Sequence, residues 1–197
     1  MQTLHYRLIL ASNSPRRKQL LQELDLPFTV RTLQGIDEQY PATLAVDEIP
    51  LFLSKLKAHA YLPTLADDEL LITADTIVAC EGNVLGKPVD AADAHRMLTL
   101  LSGRSHDVVT AVALTTTEQQ RAFTVTTKVT FAQLCREEID YYIDHYKPFD
   151  KAGAYGIQEW IGHAGITHIE GSYFNVVGLP VARLYEELKL FGAITIS

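Results

Sequence analysis

Apolar positions along this chain switch between continuous short runs and helical spacing, and the switching predicts an α/β protein. Leu8-Ile9-Leu10-Ala11 is an unbroken apolar run that reads as a buried strand. Arg16 through Leu24 then places Leu20, Leu21 and Leu24 on one helical face. Phe28 to Leu33 is strand-like, and Asp47 with Pro50 opens a helix expected to carry Leu53, Leu56 and Ala60 inward. Leu70 to Ala74 predicts a buried strand that ends at Asp75, while Thr76 to Cys80 continues extended toward a Glu81-Gly82-Asn83 turn. Asp90 is expected to cap a helix through Met97, Leu98 and Leu101 that stops at Ser102-Gly103, where glycine supplies the left-handed residue. Two Val- and Thr-rich stretches, His106 to Thr115 and Arg121 to Phe131, flank a polar turn and read as an antiparallel hairpin. Glu137 to His145 predicts a short helix, Ile166 to Val177 is mostly extended, and Pro180 opens a last helix bearing Val181, Leu184, Leu188 and Phe191 before Gly192 ends it. The sum is α/β: a mixed central sheet with flanking helices, holding too much hairpin for a purely doubly wound fold.

Length and composition narrow the class. A chain of 197 residues is one domain or a two-lobed unit. Apolar residues at 47 % and charged residues at 21 % are ordinary for a soluble globular protein. The formal charge of -7 argues against a nucleic-acid coat, which needs a basic footprint. Cys80 and Cys135 lie far apart in no metal-type spacing, so two reduced, buried thiols are expected rather than a disulfide framework. No apolar stretch approaches the ~20 residues of a membrane span, and no basic-then-apolar secretory pattern opens the chain. The expectation is a cytoplasmic protein with no membrane and no nucleic-acid partner.

Candidate chemistry gathers at the predicted element ends. Ser12-Asn13-Ser14-Pro15-Arg16-Arg17 joins the first strand to the first helix. Ser14 is a favoured N-cap and Pro15 suits the first helical position, so the first-turn N–H groups form an anion site. Arg16 and Arg17 add forked donors that match phosphate oxygens in pairs. Gly-x-x-x-x-Gly-Lys-Ser/Thr, Gly-x-Gly-x-x-Gly, His-Glu-x-x-His and Gly-x-Ser-x-Gly are all absent, which removes the ordinary nucleotide, zinc-protease and serine-hydrolase signatures. Asp75 interrupts an apolar run, and a charge there is either functional or a cap. Glu38 is either a hard oxygen ligand for magnesium or manganese or part of a solvated acidic turn. Lys57 and Lys87 are single lysines, of which Lys87 is held in a Gly86-Lys87-Pro88 turn. Lys147 to Gly165 is too polar in composition for core and reads as a site loop. Small residues at 152, 153, 154 and 156 allow close approach to the backbone, and Gln158 carries a donor and an acceptor on one plane, as reading a base edge requires. Trp160 reads as core before it reads as a base-stacking platform.

Ser-x-Ser-Pro-Arg-Arg, Ala74-Asp75-Thr76, Gly86-Lys87-Pro88, Asp150 to Gln158, and Gly171-Ser172-Tyr173 with Val177-Gly178-Leu179-Pro180 occur in that order over nearly the whole length. In this the chain resembles the Maf family. The resemblance implies a single Maf-like domain over residues 1–197, two lobes around a cleft, and a fold similar to that of the inosine triphosphate pyrophosphatases. It implies a nucleoside triphosphate pyrophosphatase that uses a divalent metal, magnesium or manganese, and releases a nucleoside monophosphate and pyrophosphate. Arg16, Thr76 and Gln158 match the branch acting on dTTP and UTP, whereas the 7-methyl-GTP branch typically has tryptophan, glutamine and glutamate there. Glu159-Trp160 departs from the glycine more usual after the glutamine. On this reading Asp75 is the general base, Ser12, Arg16, Arg17, Lys57 and Lys87 hold phosphates, Glu38 and Asp75 hold the metal, and Thr76 and Gln158 read the pyrimidine. The partner implied is a small-molecule nucleotide, with a homodimer among the alternatives for oligomeric state. Two rival functions stay open at this point: a nucleotide-binding regulator of septum formation, and the 7-methyl-GTP subtype.

Overall fold

The structure is a computed structural model that describes residues 2–196. In chain order the elements are β1 (Gln2–Leu4), β2 (Arg7–Leu10), α1 (Pro15–Gln22), β3 (Phe28–Val30), α2 (Ile49–Tyr61), β4 (Glu69–Cys80), β5 (Asn83–Leu85), α3 (Ala91–Leu101), β6 (Ser105–Thr115), β7 (Gln120–Phe131), α4 (Arg136–Tyr146), α5 (Trp160–Gly165), β8 (Ile166–Glu170), α6 (Tyr173–Val177), α7 (Val181–Leu190) and β9 (Ile194–Ile196). The main sheet has the order β3-β2-β4-β6-β7-β8, with β5 added on β4, and β1 pairs with β9 in a separate ribbon. Strand β2 runs parallel to both β3 and β4, whereas β5 and β8 are antiparallel to their neighbours. Arg104 accepts from Phe131 at one end of the β6-β7 pair and Thr116 pairs with Gln119 at the other, so these strands form the expected antiparallel hairpin. The mixed sheet with flanking helices is thus the architecture the alternating pattern predicts.

By internal contact the chain divides into two units. Unit one holds residues up to Asp75, Thr110–Val125 and the chain from Gly178; unit two holds Thr76–Val109 and Thr126–Val177. The core of unit one includes Ile9, Leu71 and Ala113 from strands, with Ala58 and Tyr61 from α2 and Leu65 beyond it. Leu70, Leu71 and Ile72 are fully buried, as a strand with parallel pairing and both faces covered requires. Unit two closes over Met97, Leu98 and Leu101 of α3, Ile139, Tyr142 and Ile143 of α4, and Val129 and Phe131 of β7. His106 belongs to this interior: it shares a 2.8 Å hydrogen bond with Tyr155 and stacks on Phe131. Burial pushes the His106 imidazole down from 6.5 to about 4.

Several expectations are corrected by tertiary pairing. Strand β4 does not end at Asp75; it runs twelve residues to Cys80, because Val78, Ala79 and Cys80 pair with β5 and extend the ladder. On α2 the buried positions are Ile49, Pro50, Leu53, Ser54, Ala58 and Tyr61, while Leu56 and Ala60 are only half-buried. Leu24 falls in a turn beyond α1. Tyr173–Val177 is helical instead of extended, since the Ser172 hydroxyl accepts the Asn175 N–H and supplies a local cap. Cys135 is exposed at the start of α4, and Cys80 alone is the buried thiol of the pair; both are free. Polar composition also misled over residues 151–157, which are largely buried, with Ala154, Tyr155 and Ile157 in the core of unit two.

Candidate functional site

In unit one the site begins with two elements locked in register. Thr73 and Asp75 lie two apart on β4 and therefore share a face. The Thr73 hydroxyl donates to the Ser54 carbonyl at 2.8 Å, fixing α2 against that face. Lys57, one turn on from Ser54, is thereby brought to Asp75: its ammonium lies 2.6 Å from Asp75 Oδ1 and 2.9 Å from Glu38 Oε2. The Asp75 and Lys57 side chains are 12 % and 15 % exposed, so this is a nearly dry ion pair rather than a surface one. Glu38 is half exposed.

The turn before α1 forms as its sequence dictates. Ser14 Oγ accepts the Arg17 N–H at 3.3 Å, Pro15 occupies the first turn, and Ser12 Oγ accepts the Ser14 N–H at 3.2 Å. The Arg17 side chain turns back and donates Nε to the Gly178 carbonyl at 2.8 Å. Burial holds the Arg17 guanidinium below its ordinary value, with Arg16 adding to the effect and Asp75 and Glu38 opposing it. For Asp75 the burial dominates in the other direction: its carboxyl is raised above the usual aspartate value although Lys57 and Arg17 pull it down. A carboxyl so placed is a stronger base than a solvated aspartate.

Does this donor set fit a divalent metal? Asp75 and Glu38 converge on one point, now taken by the Lys57 ammonium, and both offer hard carboxylate oxygens. Among the described residues no group of three or more His, Cys, Asp or Glu side chains is placed to hold a metal ion. Two carboxylates suit magnesium, which usually keeps waters and takes substrate phosphate oxygens for the rest of its shell. The residues fit a metal carried in with a phosphate, not a closed protein cage. A surface groove of about 660 Å³ on unit one, lined by Phe52, Leu56, His59 and the 115–120 turn among others, includes none of the candidate residues.

In unit two, Thr76 follows Asp75 on the opposite face of β4 and is half-buried. Lys87 is exposed in the loop after β5, and the preceding Gly86 carbonyl accepts the Gly153 N–H at 3.0 Å, tying that loop to the 152–154 turn. Gly153 needs to be glycine: its φ is +69°, and a Cβ there would lie 2.9 Å from Val78 Cγ2. Gln158 is half-buried, and its Oε1 has no hydrogen-bond partner among the described residues. Trp160 packs edge-on against Tyr141 at the margin of the core. The structure therefore brings Asp75, Glu38 and Lys57 into contact within unit one, while Lys87, Thr76 and Gln158 belong to unit two.

Sequence reasoning passed over three partners in unit two. The Tyr142 hydroxyl donates to Glu159 Oε2 and accepts the Gly156 N–H at 2.9 Å. Lys151, buried, lies 3.1 Å from Glu159 Oε1 and 2.8 Å from Asp150 Oδ1. The available signal was Tyr142 at helical spacing with Ile139 and Ile143, a polar-tipped ring on an inward face.

The protein-family model described as Maf-like protein matches residues 7–191. A protein of Phocaeicola vulgatus named dTTP/UTP pyrophosphatase is 60 % identical over 184 residues, covering 93 % of this chain and 95 % of its own. Proteins of the same name from Parabacteroides distasonis and Porphyromonas gingivalis are 54 % and 52 % identical, covering 94 % and 95 % of this chain and 96 % and 95 % of their own. Among solved structures, a HAM1 protein from Coxiella burnetii superposes with a TM-score of 0.44 at 16 % identity, over 66 % of this chain and 75 % of that one.

Proposed function

The chain belongs to the Maf family, and from that premise we propose that it is a nucleoside triphosphate pyrophosphatase acting on dTTP and UTP. Water attacks the α phosphorus, the bond between the α phosphorus and the oxygen bridging to the β phosphorus breaks, and the monophosphate and pyrophosphate leave. Asp75 takes the proton from the attacking water. The observation that carries this assignment is the Asp75 carboxylate itself, buried, raised in basicity and held in one orientation by Lys57 at 2.6 Å. Lys57 orients the base and, with Ser12, Arg16 and Arg17, offers donors to the triphosphate; Lys87 is assigned the same role. Such reactions run on positioning and charge neutralisation more than on covalent chemistry, which suits a set of cations around one carboxylate. A magnesium or manganese ion held by Asp75 and Glu38 would supply further charge neutralisation at the phosphates. Thr76 and Gln158 are assigned to reading the pyrimidine. The relatives' shared name supports this substrate class and does not favour either a septum regulator without catalysis or a 7-methyl-GTP enzyme. A cytoplasmic location, where nucleotides are found, fits the reading.

Pyrophosphate release from dTTP, UTP, CTP and 7-methyl-GTP by the purified protein, with and without Asp75→Asn, tests it. Turnover of dTTP and UTP that falls by about a thousandfold or more in Asp75→Asn is expected. Turnover that survives the substitution removes Asp75 from the mechanism, and preference for 7-methyl-GTP overturns the substrate assignment.

A further inference from the structure

Resting on the reading that Gln158 meets the base, we infer that Glu159 is a positioning residue that fixes the direction of the Gln158 amide and so separates uracil and thymine from cytosine. The 156–159 turn is pinned at both ends. The Gly156 N–H donates to Tyr142 at 2.9 Å, and the Gly156 carbonyl accepts the Glu159 N–H at 3.0 Å. The Glu159 side chain is held separately: Oε2 by the Tyr142 hydroxyl, on a ring with no solvent exposure, and Oε1 by the buried Lys151 ammonium at 3.1 Å. Its carboxylate thus has one position.

The space over Gly156 shows what that position does. A Cβ there would lie 2.8 Å from Gln158 Nε2, 2.9 Å from Glu159 Cδ and 3.0 Å from Glu159 Oε2, so the amide nitrogen and the carboxylate crowd the same spot. Reversing the amide would turn Oε1 toward a carboxylate, an acceptor facing an acceptor. Gln158 Oε1 is left buried and without a hydrogen-bond partner among the described residues, a state that calls for a donor. Uracil and thymine present an N3–H donor beside a carbonyl acceptor, matching Oε1 and Nε2 in this order. Cytosine presents a bare N3 acceptor beside an amine, which matches the amide only when it is reversed. A fixed carboxylate beside Nε2 therefore converts an ambidextrous side chain into a directional reader.

The test compares kcat/KM for UTP and CTP in the full chain with its divalent metal. Glu159→Gln keeps the size and an acceptor for Tyr142 but removes the charge, and it should lower the UTP-to-CTP ratio about tenfold while changing kcat for UTP much less. Tyr142→Phe, which frees the carboxylate without removing it, should move the ratio the same way and serves if Glu159→Gln folds poorly. An unchanged ratio in either folded variant, even with a lowered Tm, leaves these residues a purely structural role and overturns the inference. Gln158→Ala separates the two levels. If it leaves the ratio intact, the base-reading role of Gln158 fails; if it collapses the ratio while Glu159→Gln does not, only the positioning role of Glu159 fails.

Discussion

His106 makes the acid stability of unit two a quantity that can be worked out before it is measured. The imidazole is 3 % exposed, shares a hydrogen bond with Tyr155, and has a buried Nδ1 without a partner among the described residues. Burial alone lowers it from 6.5 to about 4. As the pH falls, the unfolded chain binds the proton first, near 6.5, while the folded chain resists until about 4. The stability due to neutral His106 is therefore full above 6.5, declines through the interval and is gone below about 4. At 1.36 kcal/mol per pKa unit the whole difference is about 3 kcal/mol, of which about 2 kcal/mol is already lost at pH 5. For a chain of this length that corresponds to a fall in Tm of roughly 4–8 °C. The protein's one tryptophan, Trp160, packs against the same core, so its fluorescence reports this unit during a thermal or urea scan. His106→Gln keeps a hydrogen-bonding group for Tyr155 but does not titrate. It should be less stable than the parent at pH 8 and lose about 2 kcal/mol less between pH 8 and pH 5. Parallel declines in the two proteins would refute the argument, because carboxylates common to both would then account for all of the acid sensitivity.

Two further outcomes follow from the geometry. Because the Lys57 ammonium lies 2.6 Å from Asp75 Oδ1 and favours its ionised form, and the base must be ionised to act, Lys57→Met should move the acid limb of the kcat/KM profile for UTP to higher pH; a limb that ignores Lys57 contradicts the assignment. Gly153→Ala meets both a positive φ and Val78 at 2.9 Å, so it should cost about 1–3 kcal/mol, read as a lower urea midpoint by Trp160 fluorescence; an unchanged midpoint would show that the turn relaxes freely.

Much of this structure could be read from local signals. Ser14, Pro15 and the leucines after them specify the β2-α1 turn within a dozen residues, and the cap forms as expected. Asp90 and Gly103 bracket α3 in the same way. What escaped is non-local. Asp75 looks like a strand end because charge breaks an apolar run, yet β5 arrives from beyond the next turn and extends the ladder past it. The Asp75–Lys57 pair depends on Thr73 meeting Ser54 nineteen residues away, a contact no periodicity encodes. Lys147 to Gly165 reads as a site loop because its composition is polar, but Lys151 pairs with Glu159, the Tyr142 hydroxyl donates to the same carboxylate, and together they carry that polarity into the interior. Read from the sequence, Glu38 and Asp75 pair as metal ligands and Lys57 stands apart as a phosphate donor; that the Lys57 ammonium stands between the two carboxylates needed the fold.

The division of the chain into units has a consequence for how the protein is made. Unit two is complete once residue 177 has been synthesised, whereas unit one takes its first segment up to Asp75 and its last from Gly178 onward. The boundaries at 75, 109 and 125 fall inside β4, β6 and β7, not in loops, so neither unit can be excised as a contiguous piece of gene. On a ribosome adding about 5–20 residues per second, Asp75 and Lys57 must wait roughly 5–20 s for the Gly178 carbonyl that anchors Arg17 beside them. The unit that holds Asp75, the proposed base, is therefore the last to close, and the nascent chain carries the capped turn before α1 for most of its synthesis before that unit is complete.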